Sequence, residues 1–471
     1  MRGDAKLMSH KLRRSVAIVP LLVAAACSNF LTGDKLSSDP NQPTTANRYL
    51  LLNGVQATQF TNLTGAAARA FGIFTQQFAG TDRQYASLEV YDFTSDDYSS
   101  TFNTSFSRGG LVDIRKMEDD SRAAGDKVFL GIAQVWEAIT IGNAVTLYGD
   151  IPYREAAKIT IANPHYDPQA QVYGDLQLLL DTAIANLSTN TGLGPQAYDL
   201  VYGATGANPA SVQKWVAVAH TLKARFYMHL AESDRANYAK AIAQTNLGIS
   251  NPANDFATYQ SATPGEENVW YQFTVRERDS YIRANSILVN LLKSRGDPRL
   301  EAYFEPNATG AVVGSAPGAK DQSASTLSAE RSSPSYHQPL ITAAENTLLR
   351  AEAKYQTGDV TAINDLNAER SAAGLGPVVA TGAALLQAIA EEEYVALFQN
   401  IEVMALYSRT CYPNITPTDG GGNVPRRFYY STDERNANPN IPATENLFNP
   451  TDKAGGTVTP AASCKGQVAG G

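Results

Sequence analysis

From Asn47 onward, apolar positions recur every three or four residues: Leu50, Leu51, Gly54 and Val55, then Phe71, Phe74 and Phe78. That spacing puts them on one face of a helix. The same period predicts further helices over about 106–122, 126–148, 170–188, 211–232, 235–249, 283–295, 341–356, 359–373 and 382–407. In the 126–148 stretch, Phe129, Ile132, Trp136, Ile139 and Asn143 fall at three- and four-residue steps. One face there is buried, and Trp136, like Trp215 in its own helix, reads as core. Alternation of period two is rare and short, so the fold class is mainly α. Irregular segments interrupt the helices at about 80–105, 189–210, 250–282, 300–340 and 408–471. Loops longer than ~15 residues usually carry function or are disordered. Residues 308–335 are rich in Gly, Ala and Ser and read as mobile. Segments 80–105 and 250–282 are rich in aromatic residues, which mobile linkers seldom are.

The N-terminal pattern differs. Lys11, Arg13 and Arg14 precede an apolar run that ends in Ala24-Ala25-Ala26-Cys27. The run is too short to cross a ~30 Å hydrocarbon core. Its basic, apolar and small-residue parts read as a secretory signal, starting at Met1 or Met8. A cysteine directly after the alanines resembles a bacterial lipobox, in which Cys27 is lipidated and becomes the first mature residue. The plainer alternative is an ordinary secretory signal with a chance cysteine. The expected organisation is a signal peptide at 1–26, a lipidated N-terminus and flexible tether at 27–46, and a helical ligand-binding domain at 47–471.

Composition narrows the function. A hydrophobic content of 43% and a charged content of 18% are globular values. A net charge of -8 disfavours nucleic acid and, without a local basic patch, repels polyanions. Cys411 and Cys464 remain in a compartment that permits disulfides, and a bridge between them would pin the C-terminal tail. Their spacing matches no metal motif, the five histidines form no His-x-x-x-His pair, and no cofactor-binding loop appears, so neither metal nor cofactor is expected.

Several helices share a repeat-like signature. A Gly358-Asp359 turn precedes Ala362-Ile363, and Tyr238 through Ala241-Ile242 and Tyr173 through Ala183-Ile184 repeat the tyrosine and Ala-Ile features. Small residues there let paired helices approach closely, as in tetratricopeptide repeats. Motifs spread along the chain carry a wider likeness: Leu147-Tyr148-Gly149-Asp150-Ile151-Pro152-Tyr153, Asp297-Pro298-Arg299-Leu300 with Tyr303-Phe304, Leu348-Leu349-Arg350-Ala351-Glu352-Ala353, and Val424-Pro425-Arg426-Arg427-Phe428-Tyr429-Tyr430. Together with Cys27 and Phe30-Leu31, they resemble the SusD/RagB family of outer-membrane nutrient-binding lipoproteins. The likeness implies tetratricopeptide-like helix pairs with long irregular insertions, a lipid anchor at the outer-membrane surface, and a SusC-like TonB-dependent transporter as partner. One departure points to a divergent branch: where the family often has Glu-Arg-Arg, this chain reads Glu391-Glu392-Glu393-Tyr394.

Sugar C–H faces shed water against aromatic rings, so the two aromatic segments are the expected ligand surface. The candidate contacts are Arg83, Tyr91, Tyr98, Phe102, Asn103, Trp270, Tyr271 and Tyr281, each ring having core packing as its plainer explanation. Glu391, Glu392 and Glu393 cannot flank one glycosidic bond, because consecutive helical residues point ~100° apart, and they read as a solvated face. Arg350 and Glu352 read as structural ion-pairing residues; His220 and His229 read as packing or bonding locally. The expected function is non-catalytic capture of an oligosaccharide, or a peptide, for the transporter. A surface glycoside hydrolase or esterase and a ligand-free scaffold are the alternatives.

Overall fold

Helical periodicity becomes helices largely where expected. The computed structural model describes residues 47–203, 209–415, 418 and 424–443. The expected signal peptide, Cys27, the tether and Cys464 lie outside the described residues. The N-terminal pair, α1 (Arg48–Thr64) and α2 (Ala66–Phe74), is followed by the short helices α3 (Arg83–Leu88) and α4 (Ser99–Phe106). Then come α5 (Leu111–Ala123), α6 (Lys127–Tyr148), α7 (Gln169–Ser188), α8 (Pro209–Leu230) and α9 (Ala236–Thr245). The later helices are α10 (Val269–Tyr271), α11 (Ser286–Ser294), α12 (Arg299–Tyr303), α13 (Ala343–Gln356), α14 (Ala362–Ala372), α15 (Gly382–Ala396), α16 (Glu402–Thr410) and α17 (Thr432–Ala437).

Each helix from α5 to α9 packs on the next, and α9 packs on α13, which also contacts α14 and α15. Small residues let these neighbours close up: Ala241 of α9 meets Ala353 of α13 beside Tyr238, and Ala351 meets Ala362 and Leu366. The mainly α, tetratricopeptide-like reading therefore holds. Helix α6 is long and apolar enough to cross a membrane, but its apolar stretch is wholly buried among other helices. Trp136 and Trp215 are buried with it.

Three expectations are corrected. The single helix read over 382–407 is two, broken between α15 and α16, where Gln399 takes a left-handed φ of 63°. The break is tied down from outside: Gln338 Nε2 donates to the Gln399 carbonyl at 2.6 Å, and Arg331 donates to its side chain at 3.0 Å. Segment 308–335 is pinned by bridges between Asn285 and Ser315 and between Phe304 and Leu327. Finally, only Glu391 of the glutamate run is part-exposed; Glu392 and Glu393 are buried. Glu392 pairs with Arg295 and with Arg299 at 2.6 Å, and Glu393 with Arg409 at 2.7 Å. A run of acids reads as solvated until cations far along the chain fold over it.

Two small antiparallel sheets pin the insertions. In the first, β1 (Phe78–Gly80) pairs with β3 (Ile282–Ala284), Phe78 opposite Ala284 and Gly80 opposite Ile282. Chain leaving β1 enters one aromatic segment, and chain entering β3 has just left the other. Thr81 N donates to the Tyr281 carbonyl at 2.9 Å, and Ser280 Oγ to Asp82 at 2.7 Å, so the two segments lie side by side. The second sheet pairs β2 (Phe256–Ala257) with β4 (Pro339–Ile341).

Arg409 is the clearest test of the core. Its guanidinium donates to both oxygens of Glu352, at 3.0 to 3.2 Å, and to Glu393. Replacing it with Met leaves two acids buried without their cation, which typically costs about 3–5 kcal/mol. Urea unfolding of Arg409→Met should show a loss of that size; a loss under about 1 kcal/mol would mean that water reaches the acids.

Candidate ligand groove

The two aromatic segments do meet, across an open groove of about 680 Å³. Helix α1 supplies one wall with Ala57, Thr58, Thr61 and Asn62, one and two turns of the same face. Gly65 and Ala66 follow at the bend into α2. A Cβ on Gly65 would sit 2.5 Å from the Thr61 carbonyl, so the bend excludes a larger residue. Helix α4 brings Ser100, Thr101 and Thr104, and the opposite wall holds Gly265, Val269, Gln272, Phe273, Glu277 and Arg278. That wall starts at α10, capped by the Asn268 side chain accepting from Trp270 N at 2.8 Å, and continues as a π-turn over Gln272–Glu277.

Most lining side chains are hydroxyls, amides or charged groups, and Phe273 is the one aromatic ring among the described lining residues. Arg69 of α2 lies beside it, its guanidinium carbon 4.1 Å from the ring centroid. Arg69 Nε donates to the Tyr85 hydroxyl at 2.8 Å, which fixes the head group. Only 9% of this residue is exposed, and one terminal nitrogen is buried without a hydrogen-bond partner. Leaving a buried donor unpaired costs roughly 1–3 kcal/mol, more when it is charged.

None of the eight expected contacts lines the groove. Tyr98, at 3% exposed, stacks on Phe428 with centroids 3.8 Å apart, and burial pushes its phenol pKa well up. Phe102 packs edge-on against Tyr148, and Trp270, fully buried, against Phe78. These three rings hold the core and present no face to solvent. Part-exposed Tyr91 abuts Phe74, Tyr281 abuts Tyr85 and Phe273, and Asn103 donates to Asp433 at 2.7 Å. Arg83 is exposed and Tyr271 half-buried. The structure brings the two segments to one groove, but the residues on its wall are not the ones expected. Within α4, Phe102 and Phe106 at i and i+4 turn inward, which leaves Ser100 and Thr104 more open than the buried Thr101. That alternation was readable once 99–106 is taken as a helix. Arg69 also carried a signal, as one cation in the run Ala66-Ala67-Ala68-Arg69-Ala70.

Other sites behave as structural parts. His229 bridges the Tyr173 hydroxyl and Glu402 at 2.8 Å each, and His220 meets Gln244. Arg350 pairs with Asp365 at 2.9 Å, and Glu352 with Arg409. Cys411 is disulfide-bonded. No metal-holding group occurs among the described residues. Glu118 and Glu137 form a carboxyl pair between α5 and α6, away from the groove lining. Burial, then the neighbouring Glu137, pushes the Glu118 pKa up to about 9.

A family model described as "SusD-like_2: Starch-binding associating with outer membrane" matches residues 40–431. Among similar solved structures is a SusD/RagB family protein from Bacteroides thetaiotaomicron, 22% identical, with a TM-score of 0.70 over 84% of this chain and 95% of that one. A chitin-binding SusD homologue from Flavobacterium johnsoniae is 18% identical, with a TM-score of 0.67 over 89% and 96%. A SusD homologue from Bacteroides uniformis is 20% identical, with a TM-score of 0.69 over 84% and 98%. No curated protein matches.

Two measurements follow from these placements. Trp270→Ala should cost about 3–5 kcal/mol of stability, the usual range for emptying a buried aromatic site. A variant of wild-type stability would mean that the ring is not core. In the second, folded Glu118 keeps a proton that the unfolded chain loses above its ordinary pKa of 4.5, so its contribution to stability falls as pH rises toward about 9. Glu118→Gln should therefore be more stable than the parent at pH 8, by at least the ~1.4 kcal/mol of one pKa unit, with the gain vanishing near pH 4. Equal stability at both pH values would show that the carboxyl ionises freely in the fold.

Proposed function

We propose that this chain, which belongs to the SusD-like family of starch-binding proteins that associate with the outer membrane, is a cell-surface lipoprotein that captures oligosaccharide without cleaving it. It would be anchored through Cys27 and would pass its ligand to a SusC-like TonB-dependent transporter. The groove carries this reading. Its volume of about 680 Å³ falls within the usual range for ligand sites, and its walls present hydroxyl and amide groups suited to a polyhydroxylated ligand. Chitin-binding neighbours of the same fold support a glycan over a peptide.

Capture differs here from the stacking expected from the sequence. Phe273, the one ring on the wall, already has Arg69 beside it, so polar contacts from Thr58, Thr61, Asn62, Thr104 and Gln272 do most of the holding. Such contacts exchange readily with water and give modest net affinity. A lipid anchor and a transporter would raise local concentration, so tight solution binding is not required. Glu277 is the one carboxylate among the described lining residues, whereas the common hydrolase mechanism places two across the bond. That favours binding over hydrolysis.

Equilibrium binding of the detergent-solubilised full chain to a polysaccharide panel, with the products then sized, tests this. Saturable binding with intact ligand is expected. Thr61→Trp fills the groove from the exposed face of α1 and should weaken binding at least ten-fold without loss of stability. Shortened products would overturn the non-catalytic reading, and a panel without binders would leave a scaffold.

A further inference from the structure

We propose that the groove is specific for an acidic saccharide, one carrying a carboxylate or a sulfate, which it reads through Arg69 and Arg278. This inference rests on the capture reading above and names its substrate class. Both guanidiniums gather at one ring: the Arg69 carbon is 4.1 Å and the Arg278 carbon 5.4 Å from the Phe273 centroid. Both residues line the groove. Neither has a carboxylate within ion-pair distance among the described residues, and Glu277, exposed on the same wall, pairs with neither.

The nearby Arg276 shows the contrast. It is paired with Glu267 at 2.7 Å, so the wall neutralises the arginine that does not line the groove and leaves the two that do. Arg225 and Arg409, buried in the helical core, have their acids.

The unpaired nitrogen of Arg69 is closed off from solvent, so Arg69 supplies positive charge at the groove wall, and a ligand anion supplies the opposite charge that no protein carboxylate provides. Arg69 is already oriented by Tyr85, so little side-chain freedom remains to be lost on binding. Arg278, exposed and held against Phe273 and Tyr281, offers the second donor set. Arginine forks bind planar carboxylates and sulfate oxygens in pairs of parallel hydrogen bonds. The chain's net charge of -8 does not defeat this, because exposed charges beyond about 8 Å are screened at physiological salt. The cation pair is the local patch that an acidic chain needs in order to take an acidic ligand.

Titration calorimetry on the full chain would compare three oligosaccharides of equal length: a uronate, a sulfated sugar and a neutral sugar. At low salt the acidic ligand should bind at least ten-fold tighter than the neutral one, with the margin shrinking as sodium chloride is added. Preference for the uronate or for the sulfated sugar names the acid. Arg278→Gln, an exposed change, should lower affinity for the acidic ligand about five-fold more than affinity for the neutral one. Arg69→Gln should abolish the preference, with Arg69→Lys retaining part of it. Equal binding of acidic and neutral sugars, or an Arg278→Gln loss shared by both, would overturn the acidic assignment and leave glycan capture standing. No binding of any sugar would overturn both.

Discussion

Two arginines buried among the C-terminal helices, Arg225 and Arg409, set the arrangement on which the rest of the fold depends. Arg225 of α8 binds Glu345 of α13 at 2.6 Å and Glu402 of α16 at 3.5 Å. Arg409 of α16 binds Glu352 of α13 and Glu393 of α15. Four helices from distant stretches are thereby fixed to one another at charged points. Such pairs gain little over apolar packing, because desolvation offsets most of the attraction. Their effect lies in what they forbid: any slip of α16 along α13 would strand a buried charge. Burial alone would raise the Glu402 carboxyl, but Arg225 and His229 overrule it and hold its pKa at about 2. That acid stays ionised, and its arginine paired, at any pH well above 2.

The motifs that carried the family likeness turn out to be joints of this frame. Glu352 belongs to the Leu-x-Arg-Ala-Glu-Ala stretch and meets Arg409; Asp297-Pro298-Arg299 brings Arg299 to Glu392. The Gly-Asp-Ile-Pro-Tyr turn meets the C-terminal Pro-Arg-Arg-Phe stretch. Phe428 N donates to the Leu147 carbonyl at 2.9 Å, and a Cβ on Gly149, at φ 84°, would strike the Arg427 guanidinium at 2.3 Å. Family membership was legible because sequence pattern records such joints. The groove between the two segments is lined from other positions, so the same pattern was silent about it.

This separates what the sequence could disclose from what it could not. Helices were readable because burial of one face imposes a 3.6-residue period on the residues themselves. The break at Gln399 was not, because its causes, Gln338 and Arg331, sit some sixty residues away in sequence. The two aromatic segments lie side by side because β1 and β3 bring them together at the groove. Tyr98, Phe102 and Trp270 turn out to be buried because aromatic density marks where a loop needs its own core. Tyr98 on Phe428 and Trp270 on Phe78 anchor their segments, and smaller polar neighbours are left facing solvent.

That division of labour also explains how a polar groove keeps its shape. Hydroxyl and amide walls have no apolar driving force to hold them apart or together, so their spacing must come from behind. On one side it comes from Phe102 against Tyr148, and on the other from Trp270 and Phe273 against Phe78 and Tyr85. Between them the β1–β3 pairing fixes the distance. These rings convert hydrophobic burial into the positions of Thr101, Thr104, Gln272 and Arg278 on the groove wall. Because the packing cost of this pre-positioning is met on folding, any ligand contacts made at the groove would need only to outcompete water.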